Sequence, residues 1–468
     1  GESIEAFKLA MKLAGESEND DLFKAIFESI SMAKSIQNVE DFDAFMRAKM
    51  RGGELNGSKD TGLLIKELEG VMINSVLSGP KTPVRAIMGT SSATFLRPMS
   101  MAIGAGLRGD GQTLRASLSS LNAMRQAIPE SFQLFRERLN SYWSGDITTV
   151  RSRFAETTRG DEQWNMFGHW AETRGTTADK AVYRMANLAR SANDNKFLTY
   201  STKLMAATDD AFGYILGRAR LREKAMFKAM NDANVGDFTN IDAKLLRKYE
   251  DEFTSTVFDA EGNLVDEAAK FAKKEATLTQ DLNGFAKGLE EVFNRTPWAK
   301  PFFLFARTGV NGLTLTAKHT PGFNFLVKEW NDIAFTQVGG DLTPLAKYGI
   351  ETAQDLVNAK ALQSGRLALG SMAIFMAGQK FLGGELHGNG PTDRTKRQTW
   401  LDAGWKPRSI KIGDTWVSYD SFEPFNQILA IVGDIGDHME LMGEEWAEDH
   451  LLKLGLVIGQ GITSLSLI

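Results

Sequence analysis

Helical segments with defined ends recur along most of this 468-residue chain, and they constrain its fold more than any other feature. Ser3 precedes a segment in which Ile4, Phe7 and Met11 share one helical face, and Gly15 follows that segment. The same order of polar cap, apolar stripe and glycine or proline stop is repeated downstream. The pattern predicts an all-α fold, built as an elongated multi-helix assembly.

One segment departs from the helical pattern. Residues 409–419, SIKIGDTWVSY, place apolar side chains at Ile410, Ile412 and Trp416 in alternation around a Gly-Asp turn. Alternation with a period of two is typical of a half-buried strand, and Gly-Asp is a common two-residue turn. We therefore expect one small β-hairpin near 409–419.

Breaks in the helical pattern divide the chain into four predicted parts. These are an N-terminal three-helix unit (1–57), a helical unit with an Arg-rich segment (58–160), a long-helix unit (161–295), and a last part (296–468) that begins as a Pro/Phe-rich connector and continues as an apolar helix, the hairpin and C-terminal helices.

Three local expectations follow from the same patterns. Residues 86–111 are small and apolar and show neither a helical nor a strand period, so their structure is not predicted. Pro129 predicts a kink or break in the helix expected over residues 112–143. The longest helical signal, over residues 177–230, is expected to break near residues 193–195.

Composition excludes several kinds of catalytic site. The chain has no cysteine, which removes disulfides, thiolate metal sites and Cys nucleophiles, and its five histidines show no paired metal-ligand spacing. Gly104, Gly106 and Gly109 fit the pattern GxGxxG, but the sequence predicts no βαβ unit around them, which a dinucleotide site requires. We therefore assign no catalytic, cofactor or metal residues and expect a protein that is not an enzyme.

The formal net charge of −5 excludes a strongly basic nucleic-acid binder, so any polyanion contact must be local. Residues 81–160 carry eleven Lys or Arg against five Asp or Glu, and ten of the eleven cations are Arg, which suits phosphate groups. The alternative is an ordinary solvated helix face. The candidate polyanion contacts are Arg97, Arg108, Arg115, Arg125, Arg136 and Arg138.

Residues 430–450 have the opposite character, with seven Asp or Glu and no Lys or Arg. Separated patches of opposite charge suit contacts between neighbouring subunits of a homo-oligomer, although an acidic surface also serves solubility alone. The candidate subunit contacts are Asp434, Asp437, Glu440 and Glu444.

Two uncharged runs suggest contact with a membrane. Residues 367–379 and 454–468 contain thirteen and fifteen residues without charge, short of the roughly 20 that a spanning helix needs. Each run fits either a buried core helix or a segment at a membrane interface. The candidate membrane contacts are Leu367, Leu369, Ile374, Phe375, Leu456, Val457 and Ile458.

Both ends of the sequence lead us to expect a piece of a longer polypeptide. The chain starts at Gly1 without a signal peptide pattern, and its last run is apolar and has no polar tail. An engineered truncation is the alternative.

Four segments, taken in order, resemble the large polyvalent proteins of phages and prophages. Residues 74–92 are similar to their Leu-Ser-Gly-Pro-x-Thr…Arg-Asn-x-x-Gly-Asn segment, and residues 203–225 to their Asp-centred helix. Residues 301–313 resemble their Pro-Phe…Arg-Thr-Pro-x-Asn segment. Residues 393–435 resemble their Gly-Trp-x-Pro hairpin, followed by Tyr-x-x-x-Glu-Pro-Phe and a helix.

The resemblance covers about residues 70–460, with departures that favour shared architecture over a shared active site. Arg85-Ala86 and Thr90-Ser91 replace Arg-Asn and Gly-Asn, and Gly309 replaces a proline. In tailed phages such proteins are internal virion proteins, ejected with the genome. The resemblance implies a protein of the virion interior that later assembles, in the host periplasm and inner membrane, into a helical conduit for DNA entry.

The same resemblance implies partners: further copies of the chain, other phage ejection or tail and portal proteins, phage DNA bound without sequence preference, and the host inner membrane. It implies no cofactor. The alternative function is a scaffold segment of a giant polyvalent phage protein whose effector or enzymatic domains lie outside these residues.

Overall fold

The computed structural model describes residues 39–55, 58–60, 62–77, 81–144, 161–232, 241–260, 262–280, 300–391 and 393–442. Helices form most of these residues, so the predicted all-α class with a small hairpin is confirmed. The candidates Leu456, Val457, Ile458 and Glu444, and most of the predicted N-terminal three-helix unit, lie outside the described residues.

The helices in chain order are α1 (Val39–Arg51), α2 (Leu63–Leu77), α3 (Lys81–Leu107), α4 (Gly111–Ser144), α5 (Asp161–Thr173), α6 (Thr177–Asn193), α7 (Lys196–Asp232), α8 (Ala243–Val257), α9 (Glu267–Ala276), α10 (Lys300–His319), α11 (Lys328–Phe335), α12 (Ala353–Leu382), α13 (Arg394–Asp402) and α14 (Phe425–Met442). Short 3₁₀ helices lie at Phe323–Leu326 and Thr343–Tyr348. The strands are β1 (Gly53–Leu55), β2 (Ser58–Asp60), β3 (Leu386–His387), β4 (Ser409–Ile412) and β5 (Thr415–Ser418).

The predicted hairpin is present as β4 and β5, which pair antiparallel with Ile410 opposite Val417. β3 adds a third antiparallel strand next to β4. A second hairpin, β1 with β2, was not predicted from the sequence. The dipeptide Asn-Gly at 56–57 lies between its strands in the sequence and is typical of a two-residue turn, so the sequence does contain a signal for this hairpin.

Helices also form at places where the sequence predicted no helix or predicted a helix break. α3 covers almost all of the segment that showed no period. Its buried side chains include Thr94 and Ser100, whereas Met99 is exposed, so the sequence shows no apolar face. α4 continues through Pro129, which is exposed, so water can bind the carbonyl group that loses its donor. α10 occupies much of the expected Pro/Phe-rich connector, and its Pro301 falls in the first turn, where proline is tolerated. The predicted break near residue 194 is confirmed between α6 and α7.

The chain forms two compact units. The first contains the described residues of Gly1–Val76, Ala155–Thr199 and Arg295–Pro301, and its core includes Met46 and Trp164. The second contains those of Leu77–Phe154, Tyr200–Asn294 and Phe302–Ile468, and it holds every site described below.

Close helix packing organises the second unit. A Cβ atom added at Gly104 of α3 would overlap the carbonyl oxygen of Ala361 on α12, and one added at Gly365 would overlap that of Ser100 on α3. A Cβ atom added at Gly370 of α12 would likewise overlap the carbonyl oxygen of His319 on α10. Only glycine permits these contacts, so the backbone of α12 lies in direct contact with the backbones of α3 and α10.

Candidate functional site

The second unit contains a cluster of ten buried or half-buried charged side chains, which we call the charge cluster. Its five cations and five carboxylates balance, and they come from α3, α7, α9, α10, α11, α12 and the cap residue before α9. The members are Arg97, Arg220, Glu223, Lys224, Asp266, Glu275, Lys318, Glu329, Asp355 and Arg366.

Glu275 is the centre of one half of the charge cluster. Its carboxylate accepts hydrogen bonds from Arg97 (2.7 Å), Lys318 (2.7 Å) and Arg366 (2.5 Å). Lys318, which is fully buried, also donates to Glu329 at 2.6 Å. Burial raises the pKa of Glu275, but Arg366, Lys318 and Arg97 together hold that pKa well below its usual range.

Arg220 is the centre of the other half. Its guanidinium group contacts Glu223 at 2.5 Å, Asp355 at 2.6 Å and Asp266 at 3.3 Å. Burial raises the pKa of Glu223, against the opposing effect of Arg220. Lys224 completes this half through a 2.6 Å contact with Asp266.

Two carboxylates of the cluster also cap helices, which explains why they occur where they do in the sequence. Asp266 precedes α9 and accepts a hydrogen bond from the backbone N–H of Ala269 at 2.9 Å. Asp355 forms a reciprocal capping box with Thr352 at the start of α12. Local capping therefore fixes these two carboxylates, and the ion pairs then join the capped helices to α7.

A cavity of ≈ 100 Å³ adjoins the charge cluster, and its lining includes Arg97, Glu223, Tyr348, Asp355 and Arg366. Its lining mixes these charged groups with apolar side chains, and it has room for several water molecules, since one water needs about 10–15 Å³ of such volume.

Two buried titratable groups lie outside the ion pairs. Burial, together with the neighbouring Arg366, lowers the pKa of His319 to about 3, so its imidazole is neutral. Burial and the adjacent Asp210 raise the pKa of Asp209 to about 7, although Lys273 opposes this. The only sequence signal for Asp209 is the Asp-Asp pair within the Asp-centred helix.

The structure does not gather the six predicted polyanion contacts into one site. Arg97 belongs to the charge cluster, and Arg138 is buried and donates to the Asn263 Oδ1 atom at 3.0 Å. Arg108 and Arg115 are half-buried, whereas Arg125 and Arg136 are exposed on α4. Whether any of them contacts a polyanion stays a prediction.

The predicted membrane contacts of α12 lie on different sides of the helix. Leu367 and Ile374 are buried and Leu369 is half-buried, whereas Phe375 is 56% exposed. Phe375 belongs to a row of exposed apolar side chains that we call the apolar stripe: Met372 (56% exposed), Phe375, Met376 (56%) and Leu382 (65%). No described helix is long and apolar enough to span a bilayer.

One predicted subunit contact has a partner within the chain. Asp434 accepts hydrogen bonds from the backbone N–H and, at 2.6 Å, from the side-chain amide of Asn389. The side chains of Asp437 and Glu440 lie outside the described part, so these subunit contacts stay predictions.

Two residues of the segment that resembles the phage proteins, Arg307 and Asn311, hydrogen-bond to another part of the chain. Arg307 donates to the carbonyl oxygens of Thr279 (2.9 Å) and Gln280 (3.0 Å), and Asn311 donates to those of Leu278 (2.9 Å) and Gln280 (3.0 Å). The pair fixes the chain that follows α9 onto α10.

Among the described residues, no group of three or more His, Asp or Glu side chains is arranged to hold a metal ion. No family model, curated protein or solved structure matches this chain.

Proposed function

We propose that this chain is an internal virion protein of tailed phages that is ejected with the genome. It then assembles with further copies, and with other ejection or tail and portal proteins, into a helical conduit for DNA across the host envelope. It moves from the virion interior to the periplasm and inner membrane, and this part of the protein is not catalytic.

The apolar stripe is the observation that carries this proposal. The C-terminal half of α12 buries one face against α3 and α14 and exposes a second apolar face to solvent. Scattered single apolar residues are normal on a surface, but a row of them on one helix marks a contact surface. The stripe is suited to lie in a membrane interface, which a helix can do without spanning the bilayer.

The structural tasks of Arg307 and Asn311 are also consistent with the proposal. Both residues match the phage segment, and both bind backbone carbonyl groups, which is what a resemblance of architecture, as opposed to a shared active site, predicts. The charge cluster supports the non-catalytic interpretation, because its carboxylates are already paired with cations of the same chain.

Liposome flotation tests the membrane step. We expect the wild-type chain to float with anionic liposomes, and Phe375→Asp to lose most of that binding, because a carboxylate on the apolar stripe would have to enter the interface. The matched control is Leu188→Asp, which adds the same charge at a 72% exposed leucine on α6, in the first unit.

Two results would contradict the proposed membrane contact. One is a wild-type chain that stays at the bottom of the gradient. The other is a Phe375→Asp variant that floats as well as wild type while its circular dichroism spectrum is unchanged.

A further inference from the structure

Four aromatic rings form a continuous row on the three-stranded sheet and α13. The rings of His387 on β3 and Trp416 on β5 stack with centroids 3.8 Å apart and planes 13° apart. Trp405 follows at 5.7 Å from His387, and Trp400 of α13 at 5.4 Å from Trp405. The row is a surface feature, because no residue of α13 is buried and all four rings are partly exposed.

Four cations lie on the sheet, loop and helix that carry this row. Lys411 lies directly opposite Trp416 in the β4–β5 register, so both side chains project from the same face of the sheet. Lys406 is adjacent to Trp405 in sequence, and Arg394 and Lys396 lie on α13. Within the described residues, none of these four cations has a carboxylate oxygen within 4 Å, and Lys411 acts on Glu385 from a longer distance, where it helps to lower the pKa of that carboxyl group.

Two other arginines in the same region do have bonding partners. Arg408 is bound to Asp420, and Arg397 donates to the carbonyl oxygen of Asn389 at 2.6 Å. These two arginines fix the loops that carry the row. Among the described residues, the side chains of Arg394, Lys396, Lys406 and Lys411 make no bond of this kind.

We infer that this surface, which we call the aromatic–basic row, binds a single strand of nucleic acid. Aromatic rings offer stacking surfaces to bases of any sequence, and Lys and Arg side chains beside them contact the phosphates. A neutral glycan would also stack on tryptophan, but it would leave the four cations without a counter-charge. The inference deepens the proposed function by placing a DNA contact, and it rests on that function only for the choice of DNA.

Fluorescence anisotropy with a labelled single-stranded oligodeoxynucleotide and the full chain tests the inference. We expect binding that weakens as salt is raised. The double variant Lys396→Ala/Lys411→Ala should lower the slope of log affinity against log salt by about 1.4, since each phosphate contact contributes about 0.7. Trp416→Ala should weaken binding about tenfold with little change in that slope, because it removes a stacking surface and no charge.

The matched control is Lys244→Ala/Arg247→Ala, which removes two exposed cations from α8 and should bind as wild type does. Circular dichroism establishes that each variant is folded. Single-strand binding that decreases in the two row variants supports the inference.

Four results would overturn it. The first three are no binding by wild type, a loss in the row variants matched by the α8 control, and a loss confined to Arg125→Ala/Arg136→Ala on α4. A duplex that binds as tightly as the single strand and is insensitive to Trp416→Ala would also overturn it, because the rings would then have no part. None of these results alters the flotation outcome, so the two proposals fail separately.

Discussion

Glu275→Gln is expected to lower the free energy of unfolding by about 3–5 kcal/mol, the range for a buried ion-pair network that loses one partner. Glu275 is only 4% exposed and is the shared counter-charge of Arg97, Lys318 and Arg366. Glutamine keeps the shape of the side chain but leaves the three cations without this negative charge. Urea denaturation followed by circular dichroism measures the effect.

The control for this variant lies on the same helix. Glu267→Gln neutralises a carboxylate that is 56% exposed and that, among the described residues, pairs only with Lys270, so its effect should stay below about 1 kcal/mol. Equal midpoints for the two variants would show that the charge cluster contributes no more than a surface pair.

The pH dependence of the Glu275 effect has a definite sign. Because the folded-state pKa of Glu275 is depressed, its contribution is complete above the ordinary Glu pKa of about 4.3 and is lost as the pH falls through the folded value. The difference between wild type and Glu275→Gln should therefore be constant at neutral pH and shrink below about pH 4.

Gly365→Ala is the second substitution with a large expected effect. The added methyl group would overlap the carbonyl oxygen of Ser100, a backbone atom that can move only if α3 and α12 separate. We expect destabilisation of about 3 kcal/mol or more, at or beyond the upper end of ordinary overpacking. Thermal unfolding and urea denaturation both measure it.

Gly378→Ala, on the same helix, is expected to have the opposite effect on stability. No atom lies within 4 Å of a Cβ placed there, so the substitution should stabilise the chain by up to about 1 kcal/mol through the helix propensity of alanine. If both glycine variants shift stability in the same direction, the close approach of α3 and α12 is not what Gly365 provides.

Features set by local sequence could be predicted. Thr352 and Asp355 form a capping box, and the alternating β4–β5 segment forms a hairpin, because both patterns are decided within a few residues. The break after Asn193 likewise follows from polar residues that favour helix ends. The proposals about DNA, membrane and partner subunits concern contacts with other molecules, and they stay predictions.

Features set by tertiary packing could not be predicted. Glu275 meets Arg97 across 178 positions of the chain and Arg366 across 91, so no local pattern marks them as partners. An Arg-rich segment indicated a polyanion contact, yet two of its arginines, Arg97 and Arg138, are bonded inside the fold. The aromatic–basic row was missed for the same reason, since its rings come from two strands, a helix and a loop that only the folded chain brings together.

Sedimentation velocity of the purified chain, in detergent and in detergent-free buffer, tests the conduit most directly. A conduit requires several copies around one axis, and α12 offers an apolar face that a membrane-like environment would cover. We predict a defined species several times the monomer mass, formed in detergent and reduced by Phe375→Asp. A single monomeric species in both buffers at high protein concentration would contradict the proposed conduit.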